Sequence, residues 1–309
     1  MEGVADWGMR QVLTHIGGID QCTTEFLRVT DHVHSDEMFY KNCPELKNNS
    51  RTLSGTPTFV QLLGSNTEMM AQNAARAVEL GAAGIDLNFG CPAKTVNRHD
   101  GGAALLKSPK RIYDIVRSVK DSLRDDIPLT AKIRLGFADP NECFENAKAV
   151  ESAGAAKLTV HCRTKMDAYK PPAFWEWIPR IKEQVQIPLI ANGEIWTVQD
   201  FKRCQEITNC NEFMVGRGAI QNPYLFFEIK NQDTNHFGIS STEYWQSIRP
   251  EIHKFYMLSS QYMGPKFSVA RTKQWLKYLA VKNNLAKELF ERIKVLHDPV
   301  EFEKLIKSP

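Results

Sequence analysis

No apolar run in this chain approaches the roughly 18 residues needed to cross a bilayer; TFVQLL at 58–63 and QIPLIA at 186–191 are among the longest. No charged-then-apolar leader opens it, so a cytoplasmic protein with no membrane partner is expected. Cys-x-x-Cys pairs are absent, and the seven cysteines (22, 43, 91, 143, 162, 204 and 210) are an odd number, which argues against a disulfide framework. The closest two, Cys204 and Cys210, have no companion histidine pair, so no metal site is expected. A Gly-x-Gly-x-x-Gly dinucleotide fingerprint, low-complexity tracts and internal repeats beyond a β/α rhythm are also missing. What remains is ordinary globular composition, 42% hydrophobic and 24% charged over 309 residues, enough for one large core and a smaller appended unit.

The net charge of +3 is unevenly spread. Residues 240–309 carry 12 Lys and Arg against 7 Asp and Glu, a net of +5, which leaves −2 for residues 1–239. A basic tail is either a solvated helical face or the footprint of a nucleic-acid partner.

From residue 20 to 220, short apolar runs alternate with longer amphipathic segments, the pattern of repeated β/α units on a parallel sheet. Seven strands are predicted at 22–26, 58–63, 84–88, 129–134, 157–161, 188–191 and 212–215. Helices are predicted at 68–80 after Asn66-Thr67, 110–124 after Ser108-Pro109, 142–153 after Asn141 and 198–207 after Thr197. Gly81 and Gly154 end two of them. The expected fold is α/β, a (β/α)₈ TIM barrel short of one strand at its N-terminus, with a doubly wound open sheet as the alternative. After Pro223 only helical patterns follow, at 241–262, 266–282, 285–293 and 299–307. The expected organisation is a catalytic barrel over 1–230, a polar linker over 228–240 and a helical domain over 241–309.

In a barrel, residues at the C-terminal strand ends converge on one mouth. Those ends are polar here: Gln61, Asn88, Cys91, Lys132, Arg134, His161, Arg163, Asn192, Gly216 and Arg217. Any one could be a satisfied structural residue; ten together point to a site. The turns ANGEI (191–195) and VGRGAI (215–220) suit backbone capture of a phosphate, helped by the charge of Arg217. Lys132 and His161 could neutralise an electron-rich ring, as flavin sites require; a Schiff-base lysine is the competing role for Lys132. Cys91, in a Gly-Cys-Pro turn just past a strand, suits a proton donor, its ordinary pKa of about 8.5 keeping it protonated at neutral pH. The plainer alternative is a buried apolar cysteine.

Taken in order, MEGV (1–4), TEF (24–26), VQLLG (60–64), DLNFGCPAK (86–94), GGAALL (101–106), AKIRLG (131–136), VHCRT (160–164), ANGEI (191–195) and VGRGA (215–219) resemble the tRNA-dihydrouridine synthases over nearly the whole chain. The resemblance implies FMN as cofactor, with Gln61, Lys132 and His161 around the ring, Asn192, Gly193, Glu194, Gly216 and Arg217 toward the ribityl phosphate, and Met1 and Glu2 alongside. It implies NADPH or NADH as reductant, hydride delivery to uracil C6, a proton from Cys91 to C5, and Asn88 holding the substrate. Family chemistry on a base in folded tRNA implies a flipped uridine. Lys94, Arg163 and Lys165 would line the mouth, and Arg271, Lys273 and Lys277 on one helix would track phosphates, with Trp275 and Tyr278 between them equally suited to a core. EFLRV (25–29) and ARTKQWLKYL (270–279) look most like the bacterial branch that modifies uridine 16 in the D-loop, with Arg28 linked to that specificity. A monomer is expected. Family members carry a short apolar strand before MEGV, so a start codon placed late, or a truncated product with unpaired edges beside strands two and eight, is expected.

Three other readings stay open. A flavin barrel of the dihydroorotate dehydrogenase kind would act on a free pyrimidine but has no use for a basic helical domain. A non-catalytic tRNA-binding protein has no use for Cys91, Lys132 and His161 together. A phosphosugar aldolase would use Lys132 covalently.

Overall fold

The computed structural model describes residues 3–232 and 238–307. Eight strands pair in parallel: β1 (Cys22–Thr23), β2 (Leu27–Arg28), β3 (Thr58–Leu63), β4 (Ile85–Asn88), β5 (Leu129–Gly136), β6 (Lys157–Thr164), β7 (Leu189–Asn192) and β8 (Glu212–Met214). The order is β1-β3-β4-β5-β6-β7-β8, with β2 also on β3. Helices Thr67–Glu79, Pro109–Ser122, Glu142–Ser152, Trp177–Lys182 and Val198–Thr208 fall between successive strands from β3 onward, so the sheet is of the β/α-barrel kind expected from the alternation.

The strand expected over 22–26 is two short pieces instead. Thr24 interrupts it, because its hydroxyl Oγ1 accepts the Gln61 N–H at 3.0 Å, replacing a ladder carbonyl. β5 and β6 run past residues 134 and 161, where their sequence turns polar, and so hold Arg134 and Arg163 within the sheet. Asn66 caps its helix by accepting from the Met69 N–H at 3.1 Å, and Gly81 (φ +99°) and Gly154 (φ +94°) supply the left-handed exits.

Chain proximity divides the molecule into two compact units. The first, containing 21–195 and 200–215, holds the sheet. Its core is aliphatic: Val60, Leu62, Ile85, Leu87, Ala131, Ile133, Leu158 and Val160 are fully covered, with Ala74, Ile112, Val116, Ala147 and Val150 from the helices. The second gathers, among the described residues, 3–20, 196–199, 216–232 and 238–307. Thr242–Met263, Pro265–Leu279, Asn284–Ile293 and Pro299–Lys307 lie within a residue or two of the helices expected there, apart from the end of the second, which stops at Leu279 rather than 282. This unit also includes Trp7–Ile16, Arg217–Gln221 and Leu225–Asn231, which the sequence reading did not pick out. Phe255 and Trp275 meet edge to face, centroids 5.2 Å apart, at its centre. Arg271 ties the first helix to the second unit's core, its Nε donating to Asp6 Oδ2 at 2.6 Å and its Nη2 to the Val4 carbonyl at 2.9 Å. Part of the expected linker, residues 233–237, lies outside the described residues.

Candidate active site

Partner residues in a parallel pair project from the same sheet face, and side chains alternate faces along a strand. The observed register therefore builds one face in rows. Gln61, Asp86, Thr130 and Lys157 form one row; Asn88, Lys132, Thr159, Ile190 and Glu212 form the next; Arg134, His161, Asn192 and Met214 form a third. Leu87, Ala131, Ile133, Val160 and Ala191 alternate with them and make up the aliphatic core. The polar strand ends picked out in the sequence on β3–β7 are thus one surface, not scattered structural residues.

Two amides carry hydrogen bonds across that surface. Gln61 donates from Nε2 to Asp86 Oδ2 at 2.7 Å and accepts at Oε1 from Asn88 Nδ2 at 2.8 Å. Asn192 donates from Nδ2 to the Met214 carbonyl at 2.7 Å and accepts at Oδ1 from Lys132 Nζ at 2.7 Å. Burial pushes the Asp86 carboxyl above the usual range, against the pull of hydrogen bonds from Thr130 and Gln61 and the charge of Lys132. Burial, with the neighbouring charge of Arg134, brings the Lys132 ammonium down to about 7, Asp86 opposing the drop.

Cys91 follows β4 in a turn held from four directions. The Gly90 N–H donates to Asn88 Oδ1 at 2.9 Å, Arg134 Nε donates to the Gly90 carbonyl at 2.8 Å, and the Cys91 carbonyl accepts from the Ala103 N–H at 3.0 Å and Asn97 Nδ2 at 2.9 Å. Arg134 also donates through Nη1 to the carbonyls of Thr164 and Ala168, at 3.0 and 2.8 Å, and its guanidinium lies 5.3 Å from the Tyr169 ring centroid. Cys91 is half-buried, unlike Cys43, Cys143, Cys162, Cys204 and Cys210, which are buried; burial pushes the thiol of Cys162 far up. A rigid, accessible thiol beside a polar strand mouth can deliver a proton; the buried-cysteine reading does not describe it.

His161, at the edge of burial, lies against the turn after β7. Gly193 there has φ +124°, and a Cβ on it would meet Ala173 Cβ at 3.1 Å and His161 Cδ2 at 3.2 Å. Its carbonyl accepts from Trp175 Nε1 at 2.9 Å. Glu194, also at positive φ, pairs at 2.7 Å with Arg163. Arg163 was expected at the mouth, but its side chain is fully covered and its Nε donates to the Pro172 carbonyl at 3.1 Å: it is a structural cation held under the turn. Replacing Glu194 by Ala strands that charge and is expected to cost about 3 kcal/mol of folding stability, read as a lowered midpoint in denaturant.

The remaining expected cations separate by environment. Arg28, on β2, is partly exposed and borders a pocket of about 230 Å³ with Thr30, Ser65 and His99. Lys94 is exposed at the start of helix Lys94–Arg98, and Lys165 lies 4.7 Å from the centroid of the Phe137 ring. Arg271, expected to grip phosphate, is instead buried against Asp6, because it falls on the packed face of its helix with Trp275 and Leu279. Lys273 donates to the Lys294 carbonyl at 3.0 Å and burial lowers its pKa, while Lys277 is exposed. Trp275 is core, its Nε1 donating to the Ile220 carbonyl at 3.1 Å. In the second unit, Gly216 precedes the five-residue helix Arg217–Gln221, and the Arg217 guanidinium lies 5.1 Å from the Trp196 ring centroid. Met1 and Glu2 lie outside the described residues. Asp86 and Tyr169 were not singled out; the Asp of DLNFGC shares its face with Gln61 and Asn88, a signal that period-two alternation along 86–88 could have supplied.

The sequence profile of the dihydrouridine synthases matches residues 1–308. The chain belongs to that family. It is 44% identical over its full length to the tRNA-dihydrouridine(16) synthase of Neisseria meningitidis serogroup A, covering 92% of that protein. It is 44% identical over 99% of its length to the enzyme of that name from Pseudomonas putida, covering 94% of it. The same identity over the whole chain, and 96% of the relative, holds for Shewanella oneidensis. Among solved structures, the old yellow enzyme homologue of Zymomonas mobilis superposes with a TM-score of 0.52 over 75% of this chain and 83% of its own, at 13% identity, which bears on the fold alone. The synthase family is one of oxidoreductases, so the aldolase and non-catalytic readings give way, and its relatives here are named for tRNA rather than for a free pyrimidine. Among the described residues no cluster of His, Cys, Asp and Glu could hold a metal ion, and no helix is long and apolar enough to cross a membrane.

Proposed function

We propose that this dihydrouridine synthase reduces a uridine of transfer RNA to 5,6-dihydrouridine at position 16 of the D-loop, with FMN as its cofactor and NADPH, or NADH, as the reductant. The observation that carries the proposal is the polar face of β3–β7 with the half-buried Cys91 turn beside it, in a chain 44% identical over its length to synthases named for that position. The flavin, when bound, supplies the hydride that no side chain can.

The chain's own residues do the rest. Gln61, Lys132, His161 and Asn192 fit a ring edged with carbonyls and ring nitrogens, because the hydrogen-bond pattern leaves the amides and the ammonium turning N–H groups toward the face. Lys132, held by Asn192 and poised near neutral pH, stabilises negative charge developing against it. Gly193 lets the backbone pass close under His161, where a side chain would crowd the ring. Asn88 orients the pyrimidine, and the Cys91 thiol gives its proton to C5 and is reprotonated from solvent. A stacked base cannot reach this depth, so the uridine is flipped out before reaction. Exposed Lys94 and Lys277, with Lys165 and Arg28, meet phosphates of the same RNA. The chain acts as a monomer in the cytoplasm, where its substrate is made.

Nucleosides from tRNA of a strain lacking the gene, mapped by mass spectrometry, test this. Dihydrouridine is expected to vanish at position 16 alone and to return on complementation; its persistence at 16 in the deletion strain would refute the assignment.

A further inference from the structure

The Asp86 carboxylate is 2% exposed, far from any solvent role, and the reaction above gives it nothing to do. Its two oxygens take one hydrogen bond each: Oδ1 from Thr130 Oγ1 at 2.6 Å and Oδ2 from Gln61 Nε2 at 2.7 Å. From Gln61 the contacts continue in one direction, Asn88 Nδ2 to Gln61 Oε1 at 2.8 Å and then the Gly90 N–H to Asn88 Oδ1 at 2.9 Å. The next residue is Cys91.

The two ends of a primary amide are nearly the same size, so nothing in its shape decides which end faces which neighbour; only the partners do. Ionised, the form that the hydrogen bonds of Thr130 and Gln61 and the charge of Lys132 favour against burial, Asp86 has acceptors alone. Facing Asp86, Gln61 must turn its NH₂ inward, which leaves its carbonyl toward Asn88. Asn88 must then donate to it, which leaves its own carbonyl to receive the Gly90 N–H. Main-chain N–H groups can only donate, so the far end of the relay agrees with the near end. We propose that Asp86 is a positioning residue: through Gln61 it sets the polarity of Asn88 and so the pose of the Gly90–Cys91 turn that carries the proposed proton donor.

The consequence is chemical as well as geometric. With the polarity set this way, the second N–H of Gln61 and of Asn88 is the donor that each amide turns toward a bound ring. Reversed, they would present carbonyl oxygens to the carbonyl edges of a pyrimidine or a flavin, and repulsion would replace attraction. Misplacement of a reacting group by about 1 Å costs on the order of 100-fold in rate, so one buried carboxylate two residues before the substrate-holding asparagine controls the reaction without touching it.

The inference rests on the proposed uridine reduction, and its test separates the two. Asp86→Asn keeps the shape but gives Gln61 both a donor and an acceptor to face, so the relay loses its direction. With the enzyme saturated in FMN and tRNA, the single-turnover rate is expected to fall about 10–100-fold, while tRNA affinity and the thermal midpoint stay near those of the parent. Thr130→Val is the control: it removes the other hydrogen bond to the buried Asp86 but leaves Oδ2 accepting from Gln61, so it is expected to lower the thermal midpoint and keep the single-turnover rate within about threefold of the parent. An Asp86→Asn variant within twofold of the parent, or a Thr130→Val variant as slow as Asp86→Asn, would overturn the role. Failure of Asp86→Asn to fold would make Asp86 a structural residue only. A parent enzyme that forms no dihydrouridine would instead refute the proposed function.

Discussion

Cys91→Ala is expected to lower dihydrouridine formation by roughly 10²–10⁴-fold, the share of a positioned acid, while tRNA affinity and fold are retained. The side chain is half-buried at a turn whose main chain is held by Asn88, Arg134, Asn97 and Ala103, and alanine keeps all four of these main-chain contacts. Loss of activity is therefore a loss of chemistry. Cys91→Ser, with a hydroxyl of much higher pKa in the same position, should fall between alanine and the parent. The comparison is a single-turnover assay of dihydrouridine in purified tRNA, and equal rates for alanine and parent would remove Cys91 from the mechanism.

Lys132→Met is expected to act in opposite directions on activity and stability. Removing a cation set against developing charge costs about 10²–10³-fold in rate. The same cation is a burden on the folded chain. With its pKa at about 7 rather than 10.5, the unfolded chain holds a proton that the folded one releases at any pH between the two, so stability rises with pH through that window. Below pH 7 both states are protonated and the desolvation cost is present in full; above 10.5 neither is, and it is gone. At about 1.4 kcal/mol per pH unit the shift corresponds to roughly 5 kcal/mol, and because the side chain is only partly covered water reaching the amine reduces this to about 1–3 kcal/mol. The flavin-free methionine variant should thus be more resistant to denaturant than the parent at about pH 6, with the gap closing toward about pH 10. A variant less stable at the lower pH would mean that the ammonium is a net structural asset, held by Asp86 and Asn192.

The β/α alternation, and the polar residues at the ends of apolar runs, were legible in the sequence because each depends on neighbours in the chain: AKIR and VHCR announce a strand and its mouth together. What the pairings decide was not legible. Asp86 reads as one more acid until the register sets it beside Gln61, 25 positions away. Arg163 and Arg271 read as free cations, since nothing nearby in sequence shows that Glu194 neutralises the first or that Asp6, 265 positions earlier, takes the second. The helix Trp7–Ile16 was missed because it buries Arg10, Gln11 and Thr14 along with its apolar side chains, which blurs the hydrophobic period. Its cap, Asp6, doubles as the partner of Arg271, a role that no local pattern encodes.

The most direct test of tRNA uridine reduction by this chain is reconstitution with defined components: the purified protein with FMN and NADPH, given unmodified tRNA transcript or free pyrimidines, with products mapped by mass spectrometry in deuterated water. The expected product is dihydrouridine at position 16 carrying solvent-derived deuterium at C5, formed from tRNA and not from the free base. Reduction of the free pyrimidine with the transcript left intact would contradict it.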